Sequence, residues 1–410
     1  MELSFSRCSS RCVIATSLLL LTLPAFSQIA KGDRLLSNGA VPSTGSLEPL
    51  ATAGYSFSSA DSDYNLFAGV IAADYLTYTT GSLAFGGGLY FASVSLADVD
   101  FSFTQFNASA RLRYGLNVSE KIHVYGQVSP SYRLETTLNG LSGRFGQSER
   151  VRITETTVEL TPLLGALLRL NQHSFADFAV GFSLPVLKSV GGSATEQPEW
   201  SPGFEELYTQ TSNSLRINVS PIARLGAGST SSSGTSLEST GIAKGSWLVG
   251  GSGASLTVQD IGSSVRTAEA NEVVLNTSAY RFVNQRLAVG GDVSFQKIWN
   301  GQFTAASVVN VQPGVRYYLA PTKASTVLLG AGVAVASRKN FDSWSSGVGV
   351  QVETLYVVSL RPGVFGELGP VLRVEPETGS LLGQFAETGT TVGFVAGLQF
   401  ALAGRSKLDQ

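Results

Sequence analysis

Leu83 to Phe91 reads Leu-Ala-Phe-Gly-Gly-Gly-Leu-Tyr-Phe, a stretch with a regular alternation of residue types. Leu83, Phe85, Leu89 and Phe91 occupy odd-numbered positions, whereas alanine, glycine and tyrosine occupy the even-numbered ones. A period of two indicates a β-strand with one apolar face. Large apolar groups on one face and small or polar groups on the other suit a strand with lipid outside and a narrow polar interior.

The chain carries this unit twice. The strand pattern returns at Leu287 to Phe295 (LAVGGDVSF), and Ile29 to Gly32 (IAKG) returns at Ile242 to Gly245. The spacing between the matches differs, which predicts an insertion in the first copy at about Asn38 to Leu47. Residues 226–241 are rich in Gly, Ser and Thr, as a flexible linker would be. We therefore expect a first unit at 28–227, a linker at 228–241 and a second unit at 242–410.

The composition favours a membrane environment. Of the 410 residues, 43% are hydrophobic and only 14% are charged, against about 25% charged in soluble domains. Beyond the N-terminus, no apolar run reaches the length of about 18 residues that a spanning helix needs. A closed barrel satisfies every backbone group in a bilayer without helices. A soluble all-β sandwich is the alternative.

The first residues predict a secretory signal. Arg7 and Arg11 precede an apolar run at 13–24, and Ala25-Phe26-Ser27 fits a cleavage site before Gln28. We expect 1–27 to be removed and the mature chain to lie in the outer membrane. Both cysteines fall within 1–27, so a disulfide framework and a thiol nucleophile are not expected in the mature chain. The formal net charge of −2 gives no electrostatic case for nucleic acid.

Alternation and turn signals predict eight strands in each copy. In the first copy we expect them at 46–59, 64–77, 82–96, 101–116, 121–136, 150–168, 175–189 and 212–226. In the second copy we expect them at 245–257, 272–283, 286–298, 304–319, 323–337, 345–358, 362–375 and 390–402. Short turns are expected on the periplasmic side and longer loops, above all 190–211, outside the cell. Tyrosines at strand ends predict an aromatic girdle: Tyr114, Tyr280, Tyr317, Tyr318 and Tyr356.

Three stretches resemble the outer-membrane β-barrel domain family of Gram-negative bacteria. They are Lys244 to Gly251 (KGSWLVGG), Tyr280 to Gly291 (YRFVNQRLAVGG) and Pro313 to Leu319 (PGVRYYL). The resemblance implies small, porin-like, roughly eight-stranded barrels of the Bacteroidetes type. It implies outer-membrane lipid, lipopolysaccharide and the barrel-assembly machinery as partners, and it leaves any extracellular ligand unknown. It transfers no catalytic residue. One departure is the polar tail after Phe400, where such chains often end on an aromatic residue.

The sequence offers little for catalysis or cofactors. The only histidines are His123, at the start of a predicted strand, and His173, in a predicted turn. Neither has a Ser/Asp arrangement nearby, and two histidines do not make a His/Cys metal site. The glycine-rich runs are not followed by a helix and so do not fit a phosphate loop. We expect no enzyme activity, no cofactor and no metal. A barrel enzyme acting on lipid or peptide is a competing hypothesis.

Charged residues on the inner face of predicted strands are the remaining candidates. They have two interpretations: a salt-bridge network that fills a closed barrel, or a selectivity lining for a pore, with the first copy favouring anions. The candidate lumen-facing charges are Arg111, Arg113, Arg133, Glu159, Arg216, Arg224, Arg316, Glu353, Glu367 and Arg373.

These observations predict an all-β protein made of two tandem eight-stranded antiparallel transmembrane barrels. The expected role is structural or surface-interacting, without catalysis. The alternative is one sixteen-stranded barrel acting as a passive porin for small solutes. Strand pairing separates the two architectures: if 212–226 lies beside 46–59, the first copy closes on itself.

Overall fold

The structure is a computed structural model of the whole chain, and its β-strands account for nearly all of the residues described here. The described residues are 29–37, 53–60, 65–96, 101–142, 148–171, 173–194, 214–225, 244–259, 271–300, 303–320, 324–340, 343–361, 363–375 and 389–402. The predicted insertion at Asn38 to Leu47, the whole predicted linker and the signal segment lie outside these ranges. Within the described ranges, no helix is long and apolar enough to cross a membrane.

Seventeen strands are described, and all of their pairings are antiparallel. In chain order they are β1 (Arg34–Ser37), β2 (Ala53–Ala60), β3 (Asn65–Tyr78), β4 (Leu83–Leu96), β5 (Phe101–Asn117), β6 (Ile122–Ser142), β7 (Ser148–Asn171), β8 (Ser174–Ala194), β9 (Ser214–Arg224), β10 (Trp247–Gln259), β11 (Asn271–Phe282), β12 (Leu287–Asn300), β13 (Phe303–Tyr318), β14 (Ser325–Asn340), β15 (Ser343–Arg361), β16 (Val364–Glu375) and β17 (Gly389–Leu402).

Two closed eight-stranded barrels form, which confirms the predicted fold class. Barrel one consists of β1 and β3 to β9, and β1 closes it by pairing with β3 on one side and β9 on the other. Barrel two consists of β10 to β17, and it closes where Trp247 to Gly250 pair with Leu402 to Gln399. Both closures lie at the end where short turns such as 79–82, 118–121 and 283–286 connect the strands. We call this the short-turn end, and the opposite end the long-loop end.

The two barrels share walls at the long-loop end. At this end β10 no longer pairs with β17. Instead, Ala254 to Gln259 of β10 pair with Val219 to Ser214 of β9. On the other side of the junction, β2 pairs with both β17 and β3. The sixteen strands from β2 to β17 therefore also form one closed ring at this end. The two architectures that the sequence left open both occur, at different heights of the same molecule.

Two residues, Gly251 and Pro221, favour the change of strand partners at the level where it occurs. Gly251 has a φ of +98°, and the register of β10 against β11 shifts between Gly250 and Gly253. Such a bulge bends a strand, and glycine adopts a positive φ without a steric penalty. On β9, Pro221 lies between the residues paired with β10 and those paired with β1. Because proline has no N–H, its backbone leaves no donor unpaired at the gap.

Barrel one closes with a different strand from the one expected. The predicted strand 46–59 is described only as β2, and β2 does not pair with β9. The closing strand is the four-residue β1, which the alternation in the sequence did not predict. Four residues give too few alternating positions for a period of two to stand out.

The strands alternate as predicted between an apolar outer face and a mixed inner face. Large apolar side chains on the outside are well exposed, reaching 59% at Leu89 and 73% at Leu164. Where the two barrels touch, the outer face is buried instead: Leu398 and Phe400 of β17 pack with Ala223 of β9 and Val364 of β16. The contact between the barrels is therefore apolar.

Three of the five tyrosines of the predicted girdle have the outward position that a girdle requires. Tyr114, Tyr317 and Tyr356 face outward and are 39–50% exposed. Tyr280 and Tyr318 are 3% and 1% exposed, and both belong to the apolar core inside barrel two. Placing them in the girdle was wrong, because the side of a strand is set by its alternation and not by closeness to its end.

Candidate functional site: the charged barrel interiors

Arg316 is the centre of the polar network inside barrel two. Its Nε donates to Glu353 Oε1 at 2.7 Å, and its Nη1 donates to Glu367 Oε2 at 3.3 Å. The guanidinium carbon lies 4.0 Å from the ring centroid of Tyr280, which is a cation–π geometry. All three charged groups are buried. A buried cation between two carboxylates is held by the strong, charge-assisted class of hydrogen bond.

Neutral and acidic groups fill the space around this network. Gln399 donates to Glu367 and exchanges hydrogen bonds with Ser278, and Tyr280 donates to Asp292 Oδ2 at 2.7 Å. The cavity that remains beside Asp292 and Glu353 is only about 10 Å³. A volume of this size is at the lower limit for one water molecule.

An apolar layer lies between this network and the short-turn end. Phe282 and Tyr318 pack with ring centroids 5.1 Å apart, together with Leu328, Leu355 and Phe365. These side chains are all nearly fully buried. Barrel two is thus closed by two consecutive layers, one charged and one apolar.

Barrel one repeats the central ion pair at the equivalent strands. Arg113 on β5 lies 3.5 Å from Asp177 on β8, as Arg316 on β13 faces Glu367 on β16. Arg113 Nε also donates to Gln127 at 2.8 Å, and its guanidinium lies 3.6 Å from the centroid of Tyr125. Tyr125 in turn donates to Asp177 Oδ1 at 2.6 Å. In each barrel, an arginine on the fourth strand is tied across the interior to an acid on the seventh.

A second charged layer lies above it in barrel one. Glu159 accepts from Arg216 at 3.4 Å and lies 3.5 Å from Arg133, and Ser183 donates to it at 2.7 Å. Arg133 also reaches Glu155 at 3.4 Å. One carboxylate therefore bridges two guanidiniums from different strands.

Barrel one has a larger polar cavity than the one beside Asp292 in barrel two. Its volume is about 150 Å³, and its lining includes Arg111, Arg113 and Arg216. Arg111 pairs with Asp74 beside Gly88, where a Cβ would collide with the Asp74 carboxylate. In barrel two, Asp292 lies on β12, the equivalent of β4, and accepts a hydrogen bond from Tyr280 in the interior.

The two remaining candidates lie away from these layers. Arg224 is at the short-turn mouth of barrel one and pairs with the buried Asp33 at 2.7 Å. Arg373 of barrel two donates to Asn310 at 3.5 Å. The ten predicted charges therefore form separate groups, and the structure does not bring them into one continuous lining.

The histidines differ in setting. His123 is fully buried, with Nδ1 at 2.8 Å from Asn117 Oδ1 and Nε2 at 3.3 Å from the Tyr78 hydroxyl. This arrangement fixes the ring inside barrel one, with an amide and a phenol as its neighbours. His173 lies in the turn between β7 and β8, where burial and, secondarily, the nearby Arg224, Arg361 and Arg169 lower its pKa.

Sequence reasoning missed the acids that complete the ion pairs. Asp74, Asp177 and Asp292 each hold an arginine or a tyrosine of the interior. The signal was available, because each aspartate falls on the inner side of a regular alternation. Among the described residues, no group of three or more His, Cys, Asp or Glu side chains could hold a metal ion.

Comparisons with known proteins add a likeness of fold only. No family model matches the chain, and no curated protein matches it. Solved structures with a similar fold include the translocator domain of the autotransporter NalP from Neisseria meningitidis, at 8% identity and a TM-score of 0.27, covering 95% of this chain and 93% of that one. Another is CdiB from Escherichia coli, at 12% identity and a TM-score of 0.43, covering 92% of this chain and 64% of that one.

A third similar structure is the toluene transporter TbuX of Ralstonia pickettii, at 10% identity and a TM-score of 0.34, covering 94% of this chain and 93% of that one. These TM-scores are all below 0.5, so none of these proteins carries an argument about function here. Membership of a particular porin-like family stays a prediction.

Proposed function

We propose that this chain is an integral outer-membrane protein whose two joined barrels are closed, and that it has a structural or surface-interaction role without catalysis. The outward apolar wall supports the membrane location, because a soluble protein rarely exposes so continuous an apolar surface. On β12, about eight residues separate the outward-facing Val289 from Lys297. At about 3.4 Å per residue and a tilt of about 40°, they span roughly 20 Å, close to the apolar band of about 25 Å in such barrels.

The charged and apolar layers inside barrel two support the proposal that this barrel is closed to ions. The Arg316 network and the apolar layer beneath it lie across the interior, and the cavity beside Asp292 and Glu353 measures only about 10 Å³. An ion crossing this barrel would have to displace paired charges and then a packed apolar layer, both of which are costly. With the interior of barrel two packed in this way, the loops are the surface available for interaction with partners outside the cell.

Absence of catalysis rests on the surroundings of the candidate bases. His123 is held between Asn117 and Tyr78 inside the wall, away from any serine, threonine or carboxylate partner among the described residues. A nucleophile needs a base within hydrogen-bonding reach, and the base needs an orienting group. The affiliation with the small porin-like family of the Bacteroidetes type is proposed with this function, on the motifs that resemble it.

Planar-bilayer conductance of the refolded mature protein tests the proposal. We expect no steady ohmic steps from protein whose folded state is confirmed by heat-modifiable gel mobility. Large, steady steps would contradict closure and favour the second candidate, a passive porin. The sixteen-stranded ring at the long-loop end and the arginine-lined cavity of barrel one are the observations that favour that candidate.

A further inference from the structure

The short-turn end of the two barrels is basic. Lys31, Lys121, Lys244, Arg281 and Arg286 are all exposed there. The acids among the described residues of this end are Glu120 and Asp33, and Asp33 is already neutralised by its ion pair with Arg224. This end therefore carries a net positive charge on its accessible surface.

Two of these cations lie beside outward-facing aromatic rings. Arg281 pairs with Trp247 across β10 and β11, and its guanidinium lies 6.0 Å from the indole centroid. Arg286 Nη1 donates to the Tyr317 hydroxyl at 3.5 Å. Trp247 and Tyr317 are 42% and 39% exposed on the outer wall. Tryptophan and tyrosine prefer the membrane–water interface, so these rings mark the level of the lipid headgroups.

The two guanidiniums beside these rings differ from that of Arg224, which is paired with Asp33. Neither Arg281 nor Arg286 forms an ion pair with a described carboxylate. A guanidinium offers a planar set of donors that matches phosphate oxygens. An apolar wall on one side, aromatic rings at the interface and two unneutralised guanidiniums together suit a phospholipid headgroup with its acyl chains lying against the barrel.

The long-loop end differs in charge. Residues 195–213 contain four glutamates and no Lys or Arg, and residues 376–388 contain two glutamates and no Lys or Arg. That end provides an internal comparison, because Lys297 lies 5.7 Å above the Trp299 ring on the outer face of β12. The same cation–aromatic pairing thus occurs at both ends of one barrel, in opposite charge settings.

We propose that Arg281 and Arg286, with Trp247 and Tyr317, form a binding site for the phosphate headgroup of an anionic phospholipid in the leaflet at the short-turn end. The site rests on the proposed membrane location of the barrels. Arg281 and Arg286 bind the phosphate, and Trp247 and Tyr317 hold the guanidiniums at headgroup level. Each basic residue near a membrane surface contributes an attraction that enriches anionic lipid several-fold.

Trp247 provides a local probe of the site. The chain has four tryptophans, and Trp200, Trp299 and Trp344 belong to other regions of the sequence. Changing those three to Phe leaves Trp247 as the only indole. The single-tryptophan protein is reconstituted into phosphatidylcholine vesicles that contain brominated phosphatidylglycerol or, at equal mole fraction, brominated phosphatidylcholine. We expect quenching by the brominated anionic lipid to exceed quenching by the zwitterionic one about twofold or more.

Matched variants distinguish lipid binding at this site from a general electrostatic attraction of anionic lipid to the protein. Arg281→Gln with Arg286→Gln should remove the excess while leaving quenching by brominated phosphatidylcholine unchanged. A protein with Trp299 as its only tryptophan should show no excess, with or without Lys297→Gln. An excess that survives the double substitution, or that is equal at Trp299, would overturn the proposal. Loss of the excess on adding inorganic phosphate at constant ionic strength would assign the guanidiniums to a free anion instead.

Failure of the membrane location would look different. If neither brominated lipid quenches Trp247 in folded protein, the barrel wall is not in contact with lipid and the proposed function fails. If both lipids quench Trp247 equally, the membrane location stands and only the lipid site is rejected.

Discussion

Arg316 and Glu353 lie 2.7 Å apart, Nε to Oε1, across the intervening strand β14 in the buried interior of barrel two. Glu367 completes the group from β16 at 3.3 Å. Because a buried arginine lies between two buried carboxylates, a change of charge at this point should be costly.

Arg316→Met should destabilise the protein strongly. The substitution keeps an apolar side chain of similar length but leaves Glu353 and Glu367 buried beside each other without a cation. Removing one partner of a buried pair costs about 3–5 kcal/mol. Urea unfolding in detergent, followed by gel mobility, should show a large fall in midpoint. Arg152→Met, at an exposed position on β7, should leave the midpoint nearly unchanged; equal midpoints for the two variants would argue against the network.

Gly251→Ala should be more costly than Gly245→Ala. Both glycines have a positive φ, +98° and +89°. At Gly245 a Cβ would meet open space, whereas at Gly251 it would collide with the backbone of Asn276 and Thr277. We expect about 1 kcal/mol at Gly245 from backbone strain alone, and a further 1–3 kcal/mol or so at Gly251. Unfolding free energies of the two variants measure this difference, and equal losses would mean that the bulge does not need glycine.

Acidification should weaken the turn that contains His173. Burial and the neighbouring arginines lower its pKa, so the folded state favours the neutral ring. The contribution of His173 to stability is complete above the ordinary histidine pKa of about 6.5 and declines as the pH falls below it. Unfolding at pH 7.5 and at pH 5 should show a loss in the wild type that is smaller in His173→Gln. Identical pH dependence in the two proteins would show that protonation of His173 does not affect stability.

Alternation in the sequence predicts most of the strands and the side on which their residues lie, because burial by a wall of strands acts on every second residue. It fails at Arg34–Ser37, where the strand is too short to show a period. The same alternation places Tyr280 on the inner side of β11, because it is two residues from the inward-facing Ser278.

Partner exchange by β10 could not be predicted from the sequence. The exchange depends on contacts between the barrels, where Phe400 and Leu398 pack against Ala223. No local pattern encodes such a contact, since outward apolar residues look the same whether they meet lipid or another barrel. The partners in the ion pairs could not be predicted for a similar reason. Several acids face inward in the sequence pattern, and the folded barrel shows that Glu353 and Glu367 are the ones that pair with Arg316.

Disulfide formation between paired cysteines tests the joined double barrel most directly. Both native cysteines lie within residues 1–27, so a chain that starts at Gln28 contains only the introduced ones. The pair Trp247→Cys with Leu402→Cys reports closure of barrel two, and the pair Ile217→Cys with Leu256→Cys reports the junction with barrel one. Both should oxidise quickly in folded protein, whereas Leu256→Cys with Phe394→Cys should not. Rapid oxidation of that last pair in place of Ile217 with Leu256 would mean two fully separate barrels, and failure of Trp247 with Leu402 would mean a single sixteen-stranded barrel.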